Sequence, residues 1–161
     1  MTQLQHLDFS LNPLSTLPPE IGQLAQLKIL KLNSTQLRVL PPELFQLTQL
    51  EELDISHNPL GEIPPEIGQL AQLKKLKLNG LQLRVLPTEI GQLTQLEELS
   101  IRNNQLSMLP KSVIQLKKLE TLDCRKNLLS IPPEIFERHS IWQNLEKVQE
   151  VLHHYCQYNE I

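Results

Sequence analysis

The stretch "DISH" contains the residue types that come closest to those of a hydrolase site. It places an acid, a hydroxyl nucleophile and a base in four consecutive residues, as Asp54, Ser56 and His57. Hydrolysis needs the base within about 2.6–3.2 Å of the hydroxyl, together with a preorganised oxyanion site. No glycine-rich turn or helix N-terminus is placed to form such a site. We therefore assign these residues a structural role and expect no enzyme.

A second cluster, "HHYC" near the C-terminus, has residue types that bind zinc. On a helix, His153 and Cys156 would share one face while His154 would point away, and no matching ligands occur elsewhere. The sequence also lacks a phosphate-binding loop and a dinucleotide fingerprint. We expect no metal and no cofactor. Cys124 is expected in the core, and a bond to Cys156 is conceivable, but we favour two free thiols.

Composition excludes several classes of function. The chain has 161 residues, a formal net charge of −3 and two cysteines. This charge provides no basic field for nucleic acid or an anionic membrane, and no apolar run reaches the roughly 18–20 residues that span a bilayer. The N-terminus lacks a secretory pattern, so we expect a cytoplasmic protein, in which the glycosylation sequence "NST" at residues 33–35 would go unused.

One phrase recurs at a fixed period and sets the organisation of the chain. "LPPEIGQL" from Leu17 returns with small changes from Leu40, Ile63 and Leu86, and a decayed form starts at Ile131. Blocks of 23 residues begin at residues 1, 24, 47, 70, 93 and 116, and the sixth block drops one residue before its copy of the phrase. Such a period predicts a solenoid, in which each coil buries its apolar face against its neighbours.

Each block predicts one strand and one turn. Apolar positions 7 and 9 alternate with polar positions 6, 8 and 10, which is the pattern of a half-buried strand. Pro19 then favours a short helical segment starting near Glu20. We expect Gly22, Gly68 and Gly91 to let the chain leave such segments at low steric cost.

An asparagine at position 12 is expected to point inward and bond backbone groups of the turns. Thr35 could partly replace it in the second block, whereas Leu81 has no hydrogen-bonding side chain, which puts backbone satisfaction in the fourth block in doubt. Blocks two and four also share "QLRVLP", as expected from duplication of a two-block unit. The predicted asparagines are Asn12, Asn58, Asn104 and Asn127.

These blocks share the pattern LxxLxLxxNxL, seen for example from Leu50 to Leu60, and this pattern resembles the leucine-rich repeat family over about residues 1–138. The 23-residue unit is most similar to the intracellular Ras-suppressor class and its plant and bacterial relatives. The resemblance implies an α/β repeat solenoid, a curved right-handed coil with a parallel β-sheet on its concave face and short helical turns on its convex face. It also identifies the position-12 residues as an asparagine ladder.

The two ends of the array differ. Met1 falls on repeat position 1, so the first coil has no cap and would present an apolar edge, consisting of Leu4, Leu7, Phe9, Leu14 and Ile21. A longer parent chain, self-association and coverage by a partner would each account for such an edge. Residues 139–161 have apolar side chains at three- and four-residue steps, with Ser140 as a plausible N-cap, which predicts a C-terminal capping helix. A partner-binding helix is the alternative.

Charges on the predicted concave face alternate in sign from coil to coil. Position 5 contains Lys28, Glu51 and Lys74 in succession, and position 8 contains Lys31 and Asp54. Neighbouring strands lie about 4.8 Å apart, so opposite charges should pair across the sheet. The first four coils therefore predict a largely self-neutralised face.

This alternation fails in blocks five and six, where position 10 contains Arg102 and Arg125 side by side. Two interpretations remain open. Glu98 and Asp123 compensate the arginines diagonally, or the arginines form a basic patch for an acidic group of a partner. The candidate partner-binding residues are Arg102, Arg125, Asn103, Lys126, Glu98, Ser100 and Asp123.

The resemblance implies a non-catalytic scaffold that binds a protein or peptide partner, most simply through the concave face. Aromatic residues are only 4% of the chain, which argues against an aromatic hot spot there, and Phe45 and Phe136 instead replace the position-22 glycine on the convex side. Two alternatives stand beside this interpretation. The chain is the sensor portion of a GTPase- or kinase-linked signalling protein, or it self-assembles through its first coil.

Overall fold

A computed structural model describes residues 3–129, 142–143 and 152 of this chain. Six three-residue strands form a parallel sheet in sequence order, and a seventh strand adds to its end. Each parallel strand pairs in register with the residues 23 positions later, as His6 does with Ile29 and Glu52 does with Lys75. The strands are β1 His6–Asp8, β2 Ile29–Lys31, β3 Glu52–Asp54, β4 Lys75–Lys77, β5 Glu98–Ser100, β6 Thr121–Asp123 and β7 Trp142–Gln143.

Five short 3-10 helices lie in the segments between the parallel strands. The first three begin at a proline, which suits a first turn because its missing N–H would lack a partner there. The predicted helical segment near Glu20 is confirmed, and it is of the tighter 3-10 type. These helices are η1 Pro19–Gln23, η2 Pro42–Gln46, η3 Pro65–Gln69, η4 Thr88–Gln92 and η5 Lys111–Gln115.

The core is a column of leucines and isoleucines between the sheet and the 3-10 helices. Leu30, Leu53 and Leu76, the middle residues of β2, β3 and β4, are fully buried. At the first coil, Leu4 is exposed and Leu7, Phe9 and Leu14 are half-buried, whereas Ile21 is buried. Ile21 differs from the other four residues because it is the buried residue of η1.

The C-terminal segment departs from the predicted capping helix at one place. Trp142–Gln143 forms β7, which pairs antiparallel with β6, so the expectation of helix at these two residues is wrong. Without β7, strand β6 would leave the backbone N–H and C=O groups of one edge without hydrogen-bond partners. Pairing with β7 satisfies some of these groups. Leu152 is helical and buried, whereas Ser140 and most of the predicted helix lie outside the described residues.

The glycines at position 22 are needed for close packing rather than for backbone freedom. Among the described glycines only Gly61 and Gly80 have positive φ, so the conformational reason expected for Gly91 was wrong. A Cβ on Gly91 would lie 2.5 Å from the Ser112 carbonyl oxygen in the next 3-10 helix. Gly22 and Gly68 face similar contacts. Phe45, at the same position in η2, is buried, and Phe136 lies outside the described residues.

The asparagine ladder is confirmed for three of its four predicted members, and each connects two coils. The Oδ1 atom of Asn58 accepts hydrogen bonds from the Thr35 and Leu37 N–H groups at 3.1 and 3.0 Å. Its Nδ2 atom donates to the carbonyl oxygens of Leu32 and Ile55, both at 2.8 Å. Asn104 and Asn127 form corresponding bonds two and three coils farther along, whereas Asn12 is exposed and bonds only within its own coil.

Blocks two and four lack the position-12 asparagine, and other hydrogen bonds compensate. Thr35 donates its hydroxyl to the Leu32 carbonyl, as expected for a partial replacement. Leu81 is buried, and the backbone groups around it are bonded, because the Leu60 N–H donates to the Asn58 carbonyl at 2.9 Å and the Gly61 N–H donates to the Leu81 carbonyl at 3.0 Å. The expectation that backbone groups of the fourth block lack hydrogen-bond partners is therefore wrong.

The two-block period has a structural basis in these turns. Where the next coil lacks asparagine, position 13 is proline, as at Pro13 and Pro59, and the following N–H bonds within its own turn. Where the next coil supplies Asn58 or Asn104, position 13 is glutamine with φ of 67° or 64°. Two coils therefore form one hydrogen-bonding unit.

Replacing Asn58 with alanine should destabilise the protein strongly, because it strands buried N–H and C=O groups in two coils. At about 1–3 kcal/mol for each unsatisfied buried group, we expect a loss of roughly 3 kcal/mol or more. Urea unfolding followed by circular dichroism measures this. Asn12→Ala, which removes an exposed asparagine, is the matched control and should cost less than about 1 kcal/mol; equal losses would contradict the two-coil role.

Replacing Gly91 with alanine should cost about 1–3 kcal/mol, because its new Cβ would press on the Ser112 backbone and force two coils apart. Thermal unfolding measures the loss. Gly61→Asn is the control, since Gly61 has open space and asparagine tolerates its φ of 74°. A smaller loss at Gly91 than at Gly61 would show that crowding between 3-10 helices is unimportant.

Candidate concave binding site

The outward side chains of the sheet form a concave face, on which charges are paired from coil to coil as predicted. Glu51 lies between two lysines, with carboxylate oxygens 2.7 Å from Lys74 Nζ and 3.2 Å from Lys28 Nζ. Hydrogen bonds from Lys74 and then Lys28 hold the pKa of Glu51 below its ordinary value, and the pKa of Lys74 is raised by Glu51. All three belong to the position-5 row.

The lysines of position 8 pair diagonally. Lys31 lies 4.0 Å from Glu52, and Lys77 lies 3.9 Å from Glu98, each on the following strand. Direct neighbours in the position-8 row also interact electrostatically at longer range. The pKa of Asp8 is lowered mainly by hydrogen bonds from Ser10, and the charge of Lys31 lowers it further. Positions 5 and 8 of coils two to four are thus neutralised by the chain's own residues, whereas Lys75, at position 6 of coil four, is exposed and has no salt bridge to a described residue.

Polar residues at position 10 connect neighbouring strands by hydrogen bonds. The Ser56 hydroxyl accepts from the Asn79 backbone N–H at 3.2 Å, and the Ser100 hydroxyl donates to Asn79 Oδ1 at 2.7 Å. Ser10 bonds Asn33 in the same way. These bonds fix the ends of the strands and leave the candidate site on a rigid support.

The C-terminal patch comprises the seven candidate partner-binding residues, and the structure places them at the ends of β5 and β6. Arg125 donates to both carboxylate oxygens of Asp123, from Nε at 2.8 Å and from Nη2 at 2.7 Å. Partial burial works to raise the pKa of Asp123, but hydrogen bonds from Arg125 and the charges of Arg125 and Arg102 outweigh it, so this pKa lies below its ordinary value. Glu98 is engaged by Lys77.

Arg102 differs from Arg125 because its guanidinium has no salt bridge to any residue that the structure describes. Its side chain is exposed, while its backbone N–H is held by Asn79 Oδ1 at 2.8 Å. Asn103 and Lys126 follow the two arginines in left-handed conformation, with φ of 57° and 56°, and both are exposed. Asp123 therefore compensates Arg125 within the same coil rather than diagonally, whereas Arg102 and Lys126 have no salt bridge to a described residue.

Position 11 adopts this left-handed conformation in every coil, so the conformation belongs to the repeat rather than to the patch. The sheet ends here and the chain must turn into the asparagine-bonded segment. Non-glycine residues adopt positive φ at a modest cost, which the surrounding hydrogen bonds offset. The six residues are Leu11, Ser34, His57, Gly80, Asn103 and Lys126.

The structure gives Asp54, Ser56 and His57 the structural role expected for them. Asp54 accepts from the Ser56 backbone N–H at 3.0 Å, and the Ser56 hydroxyl, only 4% exposed, is bonded by Asn79. His57 is exposed and lies against Gly80 rather than bonding Ser56. The arrangement has no base in contact with the hydroxyl, and nothing in the described residues points to catalysis.

The other sequence candidates are also accounted for where they are described. No group of three metal-ligating side chains occurs among the described residues, and the "HHYC" cluster lies outside them. Cys124 is buried, which raises the pKa of its thiol to about 12, so it is a core residue. Thr35 of the "NST" sequence is buried and bonded to Asn58. No helix in the described part is long and apolar enough to cross a membrane.

The sequence did not lead us to predict that aspartates at position 8 accept a hydrogen bond from the backbone N–H at position 10. Asp8, Asp54 and Asp123 each accept from the backbone N–H two residues later. The signal was present as aspartate two residues before the turn, an arrangement in which short carboxylates often bond the local backbone. In the sixth coil this aspartate also orients Arg125.

The sequence matches three family profiles, all of leucine-rich repeats. A profile described as leucine-rich repeat region covers residues 64–157, and two described as leucine rich repeat cover residues 25–83 and 3–24. A comparison with curated proteins gives no significant match.

Solved structures of three other proteins are similar to this chain. An internalin (inlF) of Listeria monocytogenes is 22% identical, with 78% of this chain and 36% of that chain covered and a TM-score of 0.71. The ectodomain of the Arabidopsis thaliana receptor kinase GASSHO1/SCHENGEN3, in complex with CASPARIAN STRIP INTEGRITY FACTOR 2, is 35% identical, with 86% and 20% covered and a TM-score of 0.67. A leucine-rich-repeat protein of Leptospira interrogans is 30% identical, with 94% and 47% covered and a TM-score of 0.48.

This chain therefore spans less than half the length of each of these structures. The internalin likeness bears on the fold alone, whereas the family profile over residues 64–157 covers more than half of the sequence. The strand register of 23 residues and the inter-coil asparagines are features of the same repeat. The chain belongs to the leucine-rich repeat family.

Proposed function

We propose that this protein is a non-catalytic scaffold that binds a protein or peptide partner through the concave face, with the C-terminal patch as the main contact. Leucine-rich repeats are generally protein-interaction modules, and the solenoid displays an extended face of strands for that purpose. The observation that carries the location is the difference between Arg102, which lacks a salt bridge to any described residue, and the lysines at positions 5 and 8 of the earlier coils, which are paired with glutamates.

The chemistry of Arg102 favours an acidic group on the partner. A guanidinium is planar, permanently charged and able to bind a carboxylate through two hydrogen bonds. The backbone N–H of Arg102 donates to Asn79 Oδ1, so little conformational entropy is lost in positioning this backbone. Lys126 adds a second positive charge one coil away, while Asp123 and Glu98 are already engaged within the chain.

The proposal also includes the class of the repeat, the location of the protein and the kinds of partner that it does not use. We further propose that the repeat belongs to the Ras-suppressor-like class, and that the protein is cytoplasmic and uses no cofactor, nucleic acid or membrane. The alternative is a sensor portion of a larger signalling protein. Its support is the likeness to the receptor-kinase ectodomain, of which this chain spans only 20%.

Reversing the charge of Arg102 should abolish or strongly weaken partner binding. Wild type and Arg102→Glu are used as baits in a quantitative pull-down from source-cell lysate, and the Kd of any enriched protein is then measured by calorimetry. Loss of a desolvated arginine contact should weaken binding at least about 10-fold. Arg102 is a cleaner target than Arg125, because changing Arg125 would also strand the Asp123 carboxylate.

Arg38→Glu is the matched control, since Arg38 is an exposed arginine outside the concave face. It should bind the partner as wild type does. Equal affinity of the Arg102 variant would move the binding site elsewhere on the molecule, and failure of all three baits to enrich any protein would argue against a binding scaffold.

A further inference from the structure

A second exposed row lies outside the concave face, at repeat positions 15 and 16, and we call it the rim row. It consists of the pairs Arg38–Val39, Gly61–Glu62, Arg84–Val85 and Ser107–Met108 in coils two to five, and all eight residues are exposed. Val39, Val85 and Met108 are 72%, 65% and 59% exposed, which makes them three of the most exposed large apolar side chains in the described part of the chain. One row thus combines apolar and charged side chains.

The charges of the rim row are unpaired among the residues that the structure describes. Arg38, Glu62 and Arg84 take part in no salt bridge with a described residue, in contrast to the alternating charges of the concave face. Their backbone is nevertheless held firmly, because the preceding Leu37 and Leu83 N–H groups donate to ladder asparagines at 3.0 and 3.1 Å. The shared "QLRVLP" segments therefore present arginine and valine in the same way in coils two and four.

We propose that the rim row is a self-association surface on which a second copy of this chain docks antiparallel, with the two-fold axis between coils three and four. In this arrangement like repeat positions oppose each other, so Arg84 of each copy lies opposite Gly61 of the other copy and reaches the adjacent Glu62. Val39 of each copy faces Met108 of the other copy. Two ion pairs and two apolar contacts then form together, because a two-fold interface repeats every contact. Gly61, with open space around it, allows close approach at the centre.

The coil period makes this match possible, since both copies have the same spacing and every coil of one meets a coil of the other. Other two-fold registers fit less well. An axis through coil three places Glu62 against its own copy, and an axis through coil four does the same for Arg84. An axis between coils two and three pairs Arg38 with Glu62 but leaves Met108 without an apolar partner.

The expected complex is a weak dimer. The rim row contributes eight residues from each copy, whereas a standard interface uses about 20–30 residues a side. Exposed ion pairs also contribute little individually and are screened by salt. We therefore expect association at micromolar or higher concentration that weakens as ionic strength rises.

Sedimentation velocity of the full chain over about 1 µM to 1 mM tests the proposal. Wild type should shift from monomer to dimer with concentration. Arg84→Glu and Glu62→Arg should each raise the dimer Kd at least about 10-fold, because each replaces two attractive contacts with two repulsive ones. Mixing these two variants should restore a dimer, since every facing pair in the mixed complex is again of opposite charge.

Lys117→Glu also reverses an exposed positive charge, lies outside the rim row and is the matched control, which should leave the dimer Kd within about threefold of wild type. Arg38→Glu tests the register and should affect the dimer Kd less than Arg84→Glu does, since Arg38 lies opposite Ser107 of the other copy and not beside an acid. An effect of Arg38→Glu at least as large as that of Arg84→Glu would favour the register between coils two and three and overturn the one proposed. A wild type that stays monomeric, a dimer insensitive to all three rim-row variants, or failure of the mixed pair to associate would also overturn the proposal.

Discussion

Each coil of this protein depends on its neighbour for hydrogen bonds that its own turn cannot provide. Asn58 shows the dependence most clearly, because one buried amide bonds backbone groups of coils two and three together. A shift of one residue between coils would place this side chain against the wrong groups, and the cost of unsatisfied buried polar atoms would follow. The same bonds hold the leucine column in register, so packing and polar satisfaction specify one stacking arrangement.

Fixed stacking determines what the surface can do. Residues at one repeat position become neighbours about 4.8 Å apart, so a sequence that alternates charge along a row produces a neutral sheet face. Glu51, with a lysine on each side, is the clearest case. Where the alternation stops, at Arg102 and Arg125, Arg102 has no salt bridge to a described residue. The candidate site thus departs from the pairing that the lysines at positions 5 and 8 show in the earlier coils.

The two-block hydrogen-bonding unit of the interior also determines which residues the rim row exposes. Because Asn58 and Asn104 anchor the segments that follow position 12, coils two and four hold their arginine–valine pairs alike. The intervening coil, with Pro59 and Gly61, closes its turn through backbone bonds and presents Glu62 instead. The hydrogen bonds that the turns require therefore lead the rim row to alternate between arginine–valine pairs in coils two and four and Gly61–Glu62 in coil three.

The sequence by itself determined the repeat period, the strand positions, the inward asparagines and the alternation of charge, because each depends on spacing within or between identical blocks. Only the tertiary structure decided how the exceptions are resolved. The backbone bonds of Gly61 and Leu60 replace a missing asparagine at Leu81, and Asp123 rather than Glu98 binds Arg125. The role of Gly91 and the pairing of β7 with β6 likewise required coordinates. These outcomes depend on distances between atoms of different coils, and periodicity fixes which residues are neighbours but not which of them come into contact.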